Sequence, residues 1–188
     1  DYEMKINIVN KHFGEKVLFS NLSLSLPDNE TTLIMGESGS GKTTLLRMIA
    51  SLDESYEGTI ETKEKRATML FQENRLIENI SVLSNLLLVT DDEEKAKEYL
   101  KEVGLKGEEE SIINTLSGGM KRRVSICRFL LVPSSLYLLD EPFSAMDEET
   151  IITTSRLIKR VVENKTTVVV THNPLVREIL DAKLVVSL

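Results

Sequence analysis

The sequence predicts an α/β fold that combines a mainly parallel sheet, an N-terminal antiparallel β subdomain and an inserted α-helical subdomain. Two segments, 136–139 and 167–171, are continuously apolar or β-branched. Such strands are typical of parallel sheets that helices cover on both faces. The segment 73–132 has helical periodicity and little strand character. We therefore expect helices to interrupt the sheet.

The amino-terminal third of the chain carries the signals of several strands. Leu22, Leu24 and Leu26 alternate with serines, which is the period of a strand with one buried face. An apolar segment at 32–35 enters a glycine-rich loop, and the apolar segment 45–50 predicts a helix after that loop. The predicted strands of this part are 6–8, 17–18, 22–26, 32–35, 59–62 and 67–71.

Helix signals organise the rest of the chain. Asp92 begins a helix that Gly104 ends, and Ser117 begins another that stops before Pro133. A further helix is predicted at 148–162 and a candidate last strand at 183–187. We expect a single domain over 1–188, with an α/β core formed by 1–72 and 133–188 and a helical subdomain formed by 73–132.

The composition excludes several classes of protein. The 188 residues are 41% hydrophobic and 28% charged, with a net charge of −7 that argues against a broad nucleic-acid surface. The apolar segments are too short to span a bilayer, and the amino terminus lacks the pattern of a signal peptide. One cysteine, Cys127, excludes a disulfide framework and favours the cytoplasm. Residues 1–3 precede Met4, a candidate natural start.

A glycine-rich loop matches the pattern G-x-x-x-x-G-K-[ST] in full. Glycines let backbone N–H groups approach a polyphosphate closely, and the helix that follows adds its positive end. The lysine reaches the β- and γ-phosphates, and the threonine hydroxyl is a Mg²⁺ ligand. The alternative is a strand-to-helix turn that binds nothing. The residues are Gly36, Glu37, Ser38, Gly39, Ser40, Gly41, Lys42 and Thr43, followed by Thr44.

Two carboxylates follow a predicted buried strand. Asp140 ends the apolar segment 136–139 and is a second candidate Mg²⁺ ligand. Glu141 comes next, where a carboxylate can accept a proton from the attacking water. The alternative is an acidic turn that only caps the strand.

The segment 116–120, Leu-Ser-Gly-Gly-Met, predicts a second anion-binding helix end. Ser117 lies at an N-cap position, and Gly118 and Gly119 leave backbone N–H groups unobstructed. Taken alone, the segment is equally typical of an ordinary capped helix. Beside the phosphate loop, it gives one chain two elements that recognise phosphate.

These motifs together resemble the nucleotide-binding domain of an ABC transporter, an ATP-binding-cassette ATPase of the compact import type. The resemblance covers essentially the whole chain and depends on the order of the motifs. They are the phosphate loop, Gln72 after a strand, Ser117-Gly118-Gly119, Asp140-Glu141, the segment 144–147 and His172.

The resemblance implies a mechanism with two chains. Two domains would pair head to tail around two ATP molecules, so that the phosphate loop of one faces the Ser117 helix of the other. Each site would then contain residues of both copies. ATP would join the two domains, and hydrolysis would release them.

The resemblance also implies roles for single residues. Catalysis would involve Glu141, which polarises water, Lys42, His172 at the γ-phosphate, and Gln72. Mg²⁺ would be bound by Thr43, Asp140 and Gln72, and Phe13 would stack on adenine. Asp147 would contact the opposing protomer, together with Ser117, Gly118 and Gly119. Bland alternatives remain: Phe13 packs inward, Gln72 caps a strand, His172 is structural and Asp147 caps a helix.

Some residues depart from the family pattern without removing a catalytic group. Met120 stands where glutamine is more usual, Met146 where leucine is, Asn173 where aspartate is, and Asn29 where glycine often is. We expect Cys127 to be a small core residue. We expect Arg122, Arg123 and Arg128 to be partly solvated, with some pairing with acids at the interface.

The resemblance implies a peripheral ATPase on the cytoplasmic face of the membrane. Separate membrane subunits would dock near 72–89, with import favoured over export. The second domain would be an identical copy or a related chain, and no nucleic-acid partner is expected. The alternatives are an ABC ATPase acting on DNA or ribosomes and a small-molecule kinase with a phosphate loop. The cargo stays open, because cargo contacts the membrane subunits.

Overall fold

A computed structural model describes residues 3–64 and 66–188, so that Asp1, Tyr2 and Lys65 lie outside the described residues. The strands are β1 (Glu3–Phe13), β2 (Lys16–Pro27), β3 (Thr31–Met35), β4 (Glu57–Glu61), β5 (Ala67–Leu70), β6 (Leu136–Asp140), β7 (Thr166–Thr171) and β8 (Leu184–Ser187). The helices are α1 (Lys42–Ile49), α2 (Val82–Leu86), α3 (Glu93–Glu102), α4 (Gly118–Leu131), α5 (Glu148–Val161) and α6 (Val176–Ile179).

The larger sheet has five strands in the order β5-β6-β7-β3-β8. Strand β7 pairs in parallel with β6, and β3 pairs in parallel with β7 and with β8. All residues of β6 and β7 are buried, which agrees with their continuous apolar and β-branched sequence. The predicted parallel sheet is therefore confirmed.

The smaller sheet is antiparallel, in the order β2-β1-β4. Along β1 the side chains of Met4, Ile6 and Ile8 are at most 1% exposed, while the residues between them face solvent. This alternation is the period of a strand with one buried face. The predicted antiparallel β subdomain is confirmed, and its strands are longer than the sequence indicated because the turn at Gly14 closes one continuous hairpin.

The chain divides into two compact units. The first contains residues 3–64, 66–69, 134–140 and 163–188, and its apolar core combines β1, β2, β3, α1, β6 and β7. The second contains 70–133 and 141–162, including the helices α2, α3, α4 and α5. The second unit thus includes 141–162, which the sequence predicts as part of the α/β core. The predicted boundaries of the helical subdomain, at 72/73 and 132/133, stay predictions.

Two helices of the second unit, α3 and α4, begin at the capping residues that the sequence predicts. The Asp92 carboxylate accepts from the Lys95 amide at 3.0 Å, and the Ser117 hydroxyl accepts from the Met120 amide at 3.2 Å. No helix within residues 3–64 and 66–188 has the length and apolar character needed to cross a bilayer.

Candidate functional site

The phosphate loop connects β3 to α1 in the first unit. Gly41 is the N-cap of α1 and has φ +93°, a conformation that side chains with a Cβ rarely adopt. A Cβ there would also lie 2.7 Å from the Phe19 ring. Both constraints require glycine at this position, which directly precedes the unpaired amides of the first turn of α1.

The Lys42 side chain folds back over the loop. It is 8% exposed, and its ammonium donates to the carbonyl oxygen of Gly36 and, at 3.0 Å, to that of Glu37. A buried cation bonded to neutral carbonyls is well suited to bind an anion, since phosphate oxygens carry charge and carbonyl oxygens do not. The Ser40 hydroxyl oxygen is buried and has no hydrogen-bond partner among the described residues.

Thr43 and Asp140 meet at the edge of the parallel sheet. The Thr43 hydroxyl donates to Oδ2 of Asp140 at 2.7 Å, and the Asp140 side chain is fully buried at the end of β6. The hydroxyl and the carboxylate place two hard oxygen donors side by side. The sequence predicts both residues as ligands of Mg²⁺.

His172 follows β7 and lines the same pocket as the phosphate loop. The pocket has a volume of about 720 Å³ and is lined by 35–40, His172 and the residues Ser187 and Leu188. Asn173, which follows the histidine, closes a local turn in which its side chain accepts from the Leu175 amide. The histidine side chain is exposed and faces a pocket that the loop residues share.

Phe13 lies at the end of β1 and is 55% exposed, so the bland alternative that it packs inward is wrong, and its stacking on adenine stays a prediction. The Lys11 ammonium is 4.8 Å from the ring centroid. That ammonium is itself fixed, because it donates to Asp53 at 3.0 Å and to the carbonyl oxygen of Ser55 at 2.8 Å. A fixed cation therefore contacts an exposed aromatic ring.

In the second unit, Ser117 and Gly118 at the start of α4 are exposed. Gly119 has a packing reason to be glycine, since a Cβ there would lie 2.8 Å from the carbonyl oxygen of Ala145. Ala145 itself has φ +62°. The start of α4 and the segment 144–147 thus form one closely packed structure.

Asp147 caps α5. Its Oδ1 accepts from the Thr150 amide at 2.8 Å, and the bonds with Thr150 lower the pKa of the carboxyl below its ordinary value. The side chain is exposed. The bland alternative for Asp147, a helix cap, is therefore present in the structure, and an additional contact with a second protomer stays a prediction.

Gln72 and Glu141 also belong to the second unit. Gln72 is exposed and follows β5, while Glu141 is half-buried, follows β6 directly and has φ +47°. Each of the two follows a strand of the sheet, as the sequence predicted. The roles assigned to the two side chains stay predictions.

Two expectations for residues of α4 have different outcomes. Cys127 is fully buried, and burial raises the pKa of its thiol, as expected for a core residue. The expectation that Arg122 is partly solvated is wrong, because its side chain is only 1% exposed. Its signal in the sequence is helical spacing: Arg122 shares one helix face with Ser125, Ile126 and Phe129, all of them buried.

The fold and the site together define a nucleotide-binding protein with a phosphate loop. Residues 19–144 match the family model of ABC transporters. Among solved structures, the chain is similar to "Dimeric Structure of MJ0796, a Bacterial ABC Transporter Cassette", with a TM-score of 0.85 and 29% identity over 98% of this chain and 94% of that one. It is also similar to a post-hydrolysis state of MJ0796 bound to ADP and Pi, with a TM-score of 0.84 and 28% identity over 99% and 93% of the two chains.

Characterised relatives are similar along most of the sequence. An aliphatic sulfonates import ATP-binding protein, SsuB 1 of Pseudomonas savastanoi, is 35% identical over 90% of this chain and 74% of that protein. SsuB of Granulibacter bethesdensis is 38% identical over 90% and 73%, and SsuB 2 of Streptomyces avermitilis is 36% identical over 90% and 70%.

The chain therefore belongs to the ABC transporter family. It is an ATP-binding and ATP-hydrolysing cassette, as the resemblance implied. The predicted fold class is confirmed by the same comparisons.

Proposed function

We propose that this chain is the ATPase subunit of an importer that uses the Thr43–Asp140 pair to bind Mg²⁺·ATP. The observation that carries the proposal is the 2.7 Å hydrogen bond between these two side chains beside the phosphate loop. The relatives named above are import ATP-binding proteins, which favours import over action on DNA or ribosomes. The cargo of those relatives, aliphatic sulfonates, is one candidate class for the complete transporter.

The phosphate loop fits a triphosphate. The Ser40 hydroxyl is buried without a partner among the described residues, and the Lys42 ammonium is bonded to carbonyl oxygens that phosphate oxygens can replace. The residues Gly36, Glu37, Ser38, Gly39, Gly41 and Thr44 would bind the phosphates through backbone and hydroxyl groups. Phe13 would stack on the adenine with its exposed face.

Mg²⁺ fits the donors next to this loop. The Thr43 hydroxyl and the Asp140 carboxylate are the hard oxygen ligands that Mg²⁺ prefers, and Gln72 would add an amide oxygen. Bound Mg²⁺ would neutralise charge on the β- and γ-phosphates. The Thr43–Asp140 hydrogen bond keeps both donors in place before the nucleotide arrives.

Hydrolysis would depend on residues that are expected to act on the γ-phosphate. Glu141 would accept a proton from the attacking water, which Gln72 would help to orient. His172 would donate a hydrogen bond to the γ-phosphate, and Lys42 would stabilise its developing charge. The pocket that His172 shares with the phosphate loop supports this assignment.

A second copy of the chain would complete each site. The backbone amides of the exposed residues Ser117 and Gly118, next to Gly119, would bind the γ-phosphate held by the phosphate loop of the other copy, and Asp147 would contact that copy. The similar cassette structures are described as dimeric, which supports this arrangement. The simplest such arrangement is a dimer of two identical chains, and the alternative is a dimer of this chain with a related one.

Membrane subunits would bind the helical segment near 72–89. Ile77, Leu87 and Leu88 are large apolar side chains that are between 38% and 58% exposed on this segment. These side chains would supply apolar contact surface for a membrane subunit. The chain would then act at the cytoplasmic face of the membrane.

The test of the proposal is Glu141→Gln. Losing the general base should lower turnover at least about a hundredfold while ATP affinity is retained. Glu148→Gln, an exposed carboxylate at the start of α5, is the matched control and should hydrolyse ATP like the unmodified chain. Near-normal turnover of the Glu141 variant would contradict the assignment of the base.

A further inference from the structure

Arg122 is the largest fully buried side chain of the described residues. It lies in α4, within the second unit, and is 1% exposed. Burying a guanidinium costs free energy unless its N–H groups find hydrogen-bond partners. Its position therefore depends on the groups that it contacts.

One side of the guanidinium binds the segment that follows β5. Nη1 donates to the carbonyl oxygens of Phe71 at 2.7 Å and Gln72 at 3.3 Å, and to Oδ1 of Asn74 at 3.2 Å. These acceptors belong to three residues within the segment 71–74. The backbone at Gln72 is thereby fixed to α4.

The other side binds the segment that follows β6. Nη2 donates to the carbonyl oxygen of Glu141 at 2.9 Å, and Nε donates to the carbonyl oxygen of Pro142 at 3.3 Å. A single planar group thus contacts two segments that are about seventy residues apart in sequence.

The backbone of Glu141 needs such support. Its φ of +47° lies in the left-handed region, which residues with a Cβ rarely adopt and which persists only where the surroundings determine it. Arg122 bonds the carbonyl oxygens of Glu141 and Pro142, which belong to the two successive peptide bonds that follow the Glu141 Cα. These contacts stabilise the unusual conformation directly after β6.

We propose that Arg122 is a positioning residue for ATP hydrolysis, because its buried guanidinium holds the backbone at Gln72 and at Glu141 in one fixed relative placement. The inference rests on the proposed roles of those two side chains. Arg122 itself contacts their backbone and acts through them. Lysine cannot replace it, since a single ammonium lacks the planar fork that reaches both segments.

Arg122→Lys is the test. It should lower kcat about 10- to 100-fold, the effect expected of a small misplacement of reacting groups, while ATP affinity is retained. Arg160→Lys is the matched control, since Arg160 bonds Glu102 between α5 and α3 of the same unit and touches neither segment. Arg122→Gln, which removes the charge as well, should lose kcat in the same way.

Hydrogen exchange tests whether Arg122 fixes both segments at once, and the loss of kcat with retained ATP affinity is what separates positioning from a purely stabilising role. In Arg122→Lys the amides of 71–74 and those of 141, 143 and 144 should exchange faster, whereas those of the α3–α5 contact should not. In the unmodified chain, the two segments should open together as denaturant is raised. Because this measurement uses the unmodified chain, it does not depend on whether a variant folds.

Three results would overturn the proposal: a kcat of Arg122→Lys equal to that of Arg160→Lys, faster exchange in only one of the two segments, or independent opening of the segments in the unmodified chain. Glu141→Gln separates this failure from a failure of the proposed function. If that variant loses turnover and Arg122→Lys does not, only the positioning role is wrong.

Discussion

The Thr43 hydroxyl donates a 2.7 Å hydrogen bond to the buried carboxylate of Asp140, 97 residues further along the chain. Strands β3 and β6 both flank β7 in parallel, so their carboxyl ends lie at one edge of the sheet. Ligand sites of open α/β sheets occur at this edge. The parallel topology thus explains why two distant motifs form one site.

Lys42→Ala tests whether the phosphate loop binds the nucleotide. A hydrogen bond to a charged group contributes about 1.5–3 kcal/mol, so ATP affinity should fall at least about tenfold. Titration calorimetry measures the change. Lys183→Ala, which removes an exposed lysine paired with Asp181 in the same unit, should bind ATP like the unmodified chain. Unchanged affinity of the Lys42 variant would show that the nucleotide binds elsewhere.

The contact between Lys11 and Asp53 predicts that the free energy of unfolding depends on pH. The hydrogen bond from the buried Lys11 ammonium, assisted by the Ser55 amide, holds the pKa of the Asp53 carboxyl below its ordinary value. A lowered pKa in the folded state stabilises the fold above the unfolded-state pKa of roughly 4, and the contribution is lost as pH falls through the folded-state value.

Asp53→Asn should therefore unfold about 1–3 kcal/mol more easily at pH 7, and the difference from the unmodified chain should shrink below roughly pH 4. Urea denaturation at pH 7 and pH 3 measures both. Asp181→Asn, in an exposed pair, should change stability little at either pH. A difference that stays constant with pH would contradict the role of the Lys11–Asp53 pair.

Gly119→Ala separates packing from nucleotide binding at the start of α4. The added Cβ would lie 2.8 Å from the Ala145 carbonyl oxygen, so the variant should lose about 1–3 kcal/mol of stability without any nucleotide. At Gly118 the added Cβ would lie 3.8 Å from the Ala145 Cβ, an ordinary contact. Gly118→Ala should be neutral or stabilising in thermal unfolding, and equal behaviour of the two variants would refute the packing argument.

Local patterns predicted most of the fold and of the candidate site. The phosphate loop, the capping residues Asp92 and Ser117, and the apolar strand before Asp140 each depend on neighbours in sequence, which a single chain displays. The antiparallel pairing of β1 with β4 depends on contacts about fifty residues apart, so the sequence indicated the strands without this pairing.

Arg122 illustrates the same limit of prediction from local sequence patterns. Arginine is usually solvated, and the carbonyl groups that bury this one come from the segments after β5 and β6, which only the folded unit brings to α4. The helical spacing of Arg122 with Ile126 and Phe129 would have indicated burial. Its hydrogen-bond partners would still have been unknown, because every residue has a backbone carbonyl and the sequence does not show which of them lie near Arg122.

Turnover per chain, measured against chain concentration for the unmodified protein and for Ser117→Phe, tests most directly whether each ATP site needs two chains. Turnover of the unmodified chain should rise with concentration until dimers dominate. Ser117→Phe should bind ATP normally and hydrolyse almost none at any concentration, because the bulky ring blocks the exposed end of α4. Turnover per chain that is independent of concentration and unaffected by Ser117→Phe would contradict the two-chain site.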